Sequence, residues 1–138
     1  MDKKQIEIST KVKSDIDKTW EYWTKPEHIT RWNSPSDEWH TPKAENDLRK
    51  GGRFTFRMEA KDGSAGFDFG GNYDEVKDRE FISYTLDDDR KVEVIFDKKD
   101  DHILVVEKFE PESQNPEDMQ RDGWQAILDN YKKYVENN

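Results

Sequence analysis

The chain has 138 residues, near the commonest size of a single domain, so we expect one domain over residues 1–138. Its formal net charge of −9 at pH 7 disfavours binding to nucleic acid or to an anionic membrane surface. Only 31% of the residues are apolar but 12% are aromatic, so aromatic side chains must supply much of the core. Without cysteine there are no disulfides, and without a signal peptide or a membrane-spanning run we expect a cytoplasmic protein.

The N-terminal part of the chain predicts a strand followed by a short helix. Apolar and polar side chains alternate over residues 6–12, which is the period of a strand with one buried face. Ser14 is a suitable N-cap for a helix with Asp17 in its first turn, where a carboxylate suits the helix dipole. Apolar side chains then recur at helical spacing at Ile16, Trp20 and Trp23. We therefore expect a short amphipathic helix directly after the first strand.

A second short helix is predicted to begin at Pro26, since proline is favoured at the first helical position. Two apolar residues three positions apart give this helix one apolar side. The following stretch, Asn33 to Pro42, has no periodicity and predicts a long loop. This loop would carry Trp39 and His40 near one mouth of a cavity.

From Gly51 onward, alternation of apolar and polar residues predicts an antiparallel meander. The inward-facing side chains of its first two strands are expected to be Phe54, Phe56, Met58, Phe67, Phe69 and Tyr73. Asp62-Gly63 predicts a hairpin turn between them, and Gly70-Gly71 predicts a β-bulge or a sharp bend. Three further strands are predicted over residues 81–86, 92–96 and 103–109.

The C-terminal segment predicts a long helix. Asn115 is a suitable cap, Pro116 would take the first helical position, and the helix should reach about Val135. Its apolar residues form one broad face: Met119, Trp124, Ile127, Leu128, Tyr131 and Val135. We expect this face to lie across the concave side of the sheet.

The predicted order of elements is that of the helix-grip fold. This is an α+β fold in which a curved antiparallel sheet of about six to seven strands wraps around the C-terminal helix, with two short helices after the first strand. Several short motifs occur in that order: Ile16 with Trp20, Pro26-Glu27-His28-Ile29 with Trp32, Asp47-Leu48-Arg49 before Gly51-Gly52-Arg53-Phe54, Asp62-Gly63, Gly71-Asn72-Tyr73, and Gly123-Trp124. On these motifs, nearly the whole chain resembles bacterial single-domain members of the family of activators of the heat-shock-protein-90 ATPase, within the START-like (SRPBCC) superfamily. Members of this superfamily include lipid carriers, cyclases and chaperone activators, so the resemblance implies a fold rather than one activity.

A sheet that grips a helix without closing on it leaves a cavity, which is typically apolar with a few orienting polar groups. The expected ligand-binding residues are Trp39, His40, Phe54, Phe56, Phe67, Phe69, Phe96, Met119 and Trp124. The alternative is that these aromatic residues simply fill a solid core. A cavity of more than about 300 Å³ would favour ligand binding, whereas a filled core would contradict it.

Polar chemistry has three candidate residues. His40 is a candidate hydrogen-bonding group or general base because imidazole titrates near neutral pH, although an exposed histidine is the alternative. Together with Tyr73 or Tyr84 it would polarise a carbonyl group. This arrangement would make the protein an enzyme of cyclase or hydratase type.

No metal or cofactor is expected. The three histidines lack the spacing of helical metal ligands, and neither Gly51-Gly52 nor Gly70-Gly71 is followed by the Lys-Ser or Lys-Thr pair of a phosphate-binding loop.

The leading hypothesis is a monomer or weak homodimer that binds or sequesters a small hydrophobic or aromatic molecule. The enzyme is the second hypothesis. The resemblance implies a third, a module that stimulates a chaperone ATPase through an exposed patch.

Overall fold

The computed structural model describes residues 4–138, so the first three residues of the predicted domain lie outside the described residues. Its elements are, in chain order, β1 (Ile6–Val12), α1 (Ile16–Thr24), α2 (Pro26–Trp32), β2 (Trp39–Asn46), β3 (Arg53–Ala60), β4 (Gly66–Lys77), β5 (Phe81–Leu86), β6 (Lys91–Lys98), β7 (Ile103–Phe109) and α3 (Glu117–Asn137). Within this part of the chain, seven strands form one antiparallel sheet in the order β1-β7-β6-β5-β4-β3-β2. The sheet curls into a half-barrel around α3, which confirms the predicted helix-grip fold.

Strand β1 is confirmed, but the cap of the helix after it is not Ser14. Asp15 is the N-cap of α1, and its side chain accepts a hydrogen bond of 2.7 Å from the backbone amide of Lys18. Because this amide is the third in the helix, it has no backbone partner of its own, and the carboxylate satisfies it. The helix then buries Trp20 against the sheet.

The predicted loop over residues 33–42 is wrong in its second half, because β2 begins at Trp39. Strand β2 pairs with β3 at one edge of the sheet, and its register shifts between His40 and Lys43. Pro42 lies at this irregularity, where an edge strand tolerates the missing amide. Trp39 and His40 therefore lie on a strand rather than on a loop.

The predicted turn at Asp62-Gly63 is present, but the predicted bulge is not at Gly70-Gly71. Gly63 has a positive φ of 79°, and the pairing of β3 with β4 runs without a shift through both later glycines. A side chain at Gly71 would clash with the carbonyl oxygen of Thr85 on β5. Glycine is therefore needed there for close approach of two strands, and the shift in register lies between Tyr73 and Glu75.

Helix α3 begins one residue later than predicted, since Pro116 occupies the N-cap instead of the first helical position. Its buried residues are Gln120, Leu128, Tyr131 and Val135. The predicted inward position of Met119 is wrong, because this side chain is 60% exposed. One residue of an α-helix corresponds to a rotation of about 100°, so the neighbouring Gln120 faces inward instead.

Candidate functional site

A cavity of about 350 Å³ lies between the concave face of the sheet and α3. Its apolar lining consists of Trp23, Trp32, Pro35, Phe54, Phe56, Met58, Phe67, Phe69, Tyr73, Tyr84, Trp124, Ile127 and Leu128, with Gly123 on α3. Its polar lining consists of Asn33, Arg90, Glu107, Glu112, Asn115 and Gln120. Small-molecule sites in proteins have about this volume or more, and they share this excess of apolar lining. The cavity is therefore large enough for a small organic molecule.

Aromatic rings from the sheet and from α3 hold one another in place around the cavity. The ring centroid of Phe54 lies 5.1 Å from that of Phe56 and 6.0 Å from that of Phe69. Trp124 on α3 meets Phe69 edge to face at 6.0 Å and stacks on Phe109 at 4.0 Å with an interplanar angle of 7°. Edge-to-face and stacked pairs are the favourable geometries for aromatic rings. Contacts between rings thus hold this wall together.

Glu107 is an acidic residue on the inner, buried face of the sheet. It lies in the middle of β7, where alternation places it on the buried face with Ile103, Val105 and Phe109. Its side chain belongs to the cavity lining, and the residue is only 6% exposed. Among residues 4–138, no group forms a hydrogen bond or ion pair with its carboxyl oxygens, which reach the cavity surface. Burial raises the pKa of Glu107 to about 8.

Two tyrosines line the same cavity in different states. The hydroxyl group of Tyr73 donates a hydrogen bond of 2.5 Å to Oδ1 of Asn46, whereas that of Tyr84 has no such partner in the described part of the chain. Burial is the main reason that the pKa of Tyr84 lies well above its usual range, and the nearby Glu107 raises this pKa further. Burial therefore favours the protonated form of both the Glu107 carboxyl and the Tyr84 hydroxyl. We call them the donor pair.

The remaining polar lining residues are engaged with one another or with the backbone. The Gln120 carboxamide donates to the carbonyl oxygens of Glu112 at 3.0 Å and Asn115 at 2.9 Å, and accepts from the Glu112 amide at 2.9 Å. Nε of Arg90 donates to Oδ2 of Asp88 at 2.8 Å. These contacts order the segment between β7 and α3 at the rim of the cavity. The donor pair makes no such contacts among residues 4–138, so its two O–H groups are available to a ligand.

Five predicted ligand-binding residues lie on the cavity wall, namely Phe54, Phe56, Phe67, Phe69 and Trp124. Phe67 is 46% exposed, so it contacts both the cavity and solvent. Phe96, by contrast, packs between α1 and the sheet, with its ring centroid 5.1 Å from that of Trp20. Met119 points to solvent. For the residues on the wall, a role in ligand binding stays a prediction.

Trp39 and His40 also lie outside the cavity lining. His40 is on the edge strand β2, with its side chain 42% exposed and its Nε2 atom 3.8 Å from Oε1 of Glu59. The enzyme hypothesis requires His40 to lie beside Tyr73 or Tyr84, and the structure does not place it there.

Glu107, Trp23 and Trp32 line the cavity but were not predicted to do so. A signal for Glu107 was present in the sequence, because the predicted strand over residues 103–109 alternates and Glu107 shares its parity with three apolar residues. One acidic residue in an otherwise apolar inward set indicates a buried carboxyl group. Trp23 and Trp32 face each other at 5.1 Å, and only the way in which α1 and α2 fold over the sheet brings them to the cavity.

Two further properties concern residues 4–138. No three histidine, aspartate or glutamate side chains in this range come close enough together to hold a metal ion. None of its helices combines the length and the apolar character needed to cross a lipid bilayer.

An antiparallel sheet that curls around a long helix and leaves an apolar cavity defines a protein of the START-like class. Proteins with this fold commonly bind hydrophobic ligands. The chain belongs to the family described as Activator of Hsp90 ATPase homolog 1-like proteins, whose model matches residues 13–136. The resemblance seen in the sequence is thereby confirmed.

Known structures agree with this assignment. The solution structure of the AHSA1-like protein from Aeromonas hydrophila is 42% identical, with a TM-score of 0.92 over 97% of this chain and 93% of that one. Chr148 from Cytophaga hutchinsonii is 50% identical, with a TM-score of 0.81 over 99% and 93%. Protein CV1439 from Chromobacterium violaceum, at 22% identity, 98% and 99% coverage and a TM-score of 0.86, shares the fold. No matching protein is found among curated protein sequences.

Proposed function

We propose that the protein binds a small hydrophobic or aromatic molecule in the cavity between the sheet and α3. The observation that carries this proposal is the space of about 350 Å³ lined mainly by aromatic and aliphatic side chains. A solid core would have closed this space, because side chains in protein interiors normally pack to crystalline density. The cyclase or hydratase alternative has less support, since His40 lies outside the cavity lining.

The expected affinity follows from the apolar surface that a ligand would bury. At about 25 cal/mol per Å², a naphthalene-sized ligand that loses roughly 200 Å² of exposed surface gains about 5 kcal/mol. The cost of immobilising the ligand reduces this gain, and polar contacts add to it. A gain of about 5 kcal/mol corresponds to a dissociation constant of roughly 0.2 mM, so a simple aromatic probe is expected to bind at concentrations from about 0.1 mM to several millimolar. Native mass spectrometry of freshly purified protein would show whether a tighter natural ligand is carried along.

Filling the cavity from α3 tests the proposal. Gly123 lines the cavity, and a Cβ atom added there would meet no other atom within 4 Å. In Gly123→Leu the new side chain enters this space and competes with a ligand. We expect the affinity for 2-ethylnaphthalene, measured by quenching of tryptophan fluorescence, to fall at least about tenfold. The fold should survive, because replacing glycine inside a helix removes a penalty of up to about 1 kcal/mol.

Gly123→Ala is the matched control. It gives the same kind of gain in helix stability but adds only one methyl group, so it should retain binding close to that of the wild type. A Gly123→Leu protein that is folded and binds the probe as well as the wild type would contradict the proposed site.

A further inference from the structure

Glutamate at position 107 lowers the stability of the folded protein. It lies on the central part of β7, with Ile8 of β1 and Val94 of β6 beside it in the sheet, and it is 6% exposed. Its carboxyl oxygens face a largely apolar cavity and have no protein partner among residues 4–138, so the group has fewer hydrogen bonds there than in bulk water. A leucine would pack against the same neighbours without that loss. Because glutamate is less favourable than leucine here for folding, its role is expected to lie in something other than stability.

The groups around Glu107 leave it neutral. From β1 and β6 it meets apolar side chains, and α3 contributes Trp124 and Leu128 to the cavity. The titratable or charged residues that share this cavity are Tyr73, Tyr84, Arg90 and Glu112. Tyr73 is bonded to Asn46, Arg90 to Asp88, and Glu112 accepts from backbone amides at the rim. Arg90, the cation among these lining residues, is thus paired with Asp88, and the protonated carboxyl group is the form that burial favours.

A protonated carboxyl group and a tyrosine hydroxyl are both O–H donors. Glu107 and Tyr84 both line this cavity, and strand β6 lies between them, with its Val94 paired to Glu107 and its Val92 paired to Tyr84. A carbonyl oxygen has two lone pairs and accepts two hydrogen bonds, so one such oxygen has the capacity to accept from both donors. In an apolar cavity these bonds are stronger than in water. An ammonium group would instead require an ionised Glu107, and burying such an ion pair gives little net gain.

We infer that Glu107 and Tyr84 recognise a carbonyl oxygen on an otherwise apolar ligand of this cavity. The inference rests on the proposed function and specifies the class of ligand. A ligand of the same shape without the oxygen leaves both donors unpaired, and sites built to bond a polar group discriminate strongly against such analogues. The cavity therefore prefers aromatic or aliphatic ketones, esters or amides to the corresponding hydrocarbons.

Three probes of nearly equal size test this inference: 2-acetylnaphthalene, 2-ethylnaphthalene and 2-naphthylmethylamine. At pH 6.5 we expect the wild type to bind the ketone at least about tenfold more tightly than the hydrocarbon. Glu107→Gln keeps an N–H donor and should retain this preference, whereas Glu107→Leu should lose most of it. Tyr84→Phe removes the second donor and should weaken the preference in part. The carbonyl stretching frequency of bound 2-acetylnaphthalene should be lower in the wild type than in Glu107→Leu, and a purely structural role would not change it.

The pH dependence adds an independent readout. Above about pH 8.5 the wild type should lose its preference for the ketone, because an ionised Glu107 repels the carbonyl oxygen, while Glu107→Gln should keep it. Equal binding of ketone and hydrocarbon by the wild type would overturn the inference and leave the proposed function intact. Tightest binding of the amine, lost in Glu107→Gln, would also overturn it and indicate a cationic ligand. Failure of all three probes to bind the folded wild type would overturn the proposed function as well.

Discussion

Replacing Glu107 by glutamine is expected to stabilise the protein by about 3 kcal/mol at pH 7. In the unfolded chain the carboxyl group ionises near its ordinary pKa of 4.5, whereas burial raises the pKa to about 8 in the folded protein. Between these values the folded protein binds more protons than the unfolded chain, so its stability falls as the pH rises. Each pH unit in this window costs about 1.36 kcal/mol, and glutamine does not titrate.

Urea unfolding of the wild type and of Glu107→Gln at several pH values measures this effect. The difference in the free energy of unfolding should be smallest below pH 4.5, grow with pH, and level off above about pH 8. Glu93→Gln is a suitable control, since Glu93 lies on β6 at a position of opposite parity to the buried Val92 and Val94. It should change stability by less than about 0.5 kcal/mol at either end of the range. A difference for Glu107→Gln that is independent of pH would contradict a buried, protonated carboxyl group.

Phe109→Ala is expected to destabilise the protein by about 3 to 5 kcal/mol, and Phe56→Ala by clearly less. Phe109 is fully buried and stacks on Trp124 with ring centroids 4.0 Å apart, so its truncation leaves a new void. Phe56 is half-buried and already borders the cavity, so its truncation enlarges a space that exists. Urea unfolding of both variants under one set of conditions provides the comparison. A loss as large for Phe56→Ala as for Phe109→Ala would indicate a filled core instead of a cavity.

Most of the fold could be predicted from the sequence because most of its strands are half-buried. Alternation over residues 6–12, 81–86 and 103–109 gave strands with the observed buried faces. Strand β2 lacked this signal, since it lies at the sheet edge, contains Pro42 and shifts its register. An edge strand pairs with one neighbouring strand instead of two, so its sequence is less constrained.

The cavity was harder to predict than the fold because alternation tells which face of a strand is inward but not what covers it. Phe56 and Phe96 are both inward-facing, yet Phe56 borders the cavity while Phe96 packs against Trp20 of α1. The difference depends on where α1 and α3 cross the sheet, and no local pattern encodes this. The inward position of Glu107, by contrast, follows from the sequence alone, because Glu107 alternates in step with the buried residues of β7.

The central claim is that this cavity binds a small apolar molecule. Its most direct test is an NMR titration of the protein with 2-acetylnaphthalene, followed through the indole N–H signals of the tryptophans. Trp23, Trp32 and Trp124 line the cavity, whereas Trp20 lies outside it, packs on Phe96 and serves as an internal control. We predict saturable shifts of the three cavity signals with little change at Trp20. The absence of saturable shifts, or shifts confined to Trp20, would contradict the claim.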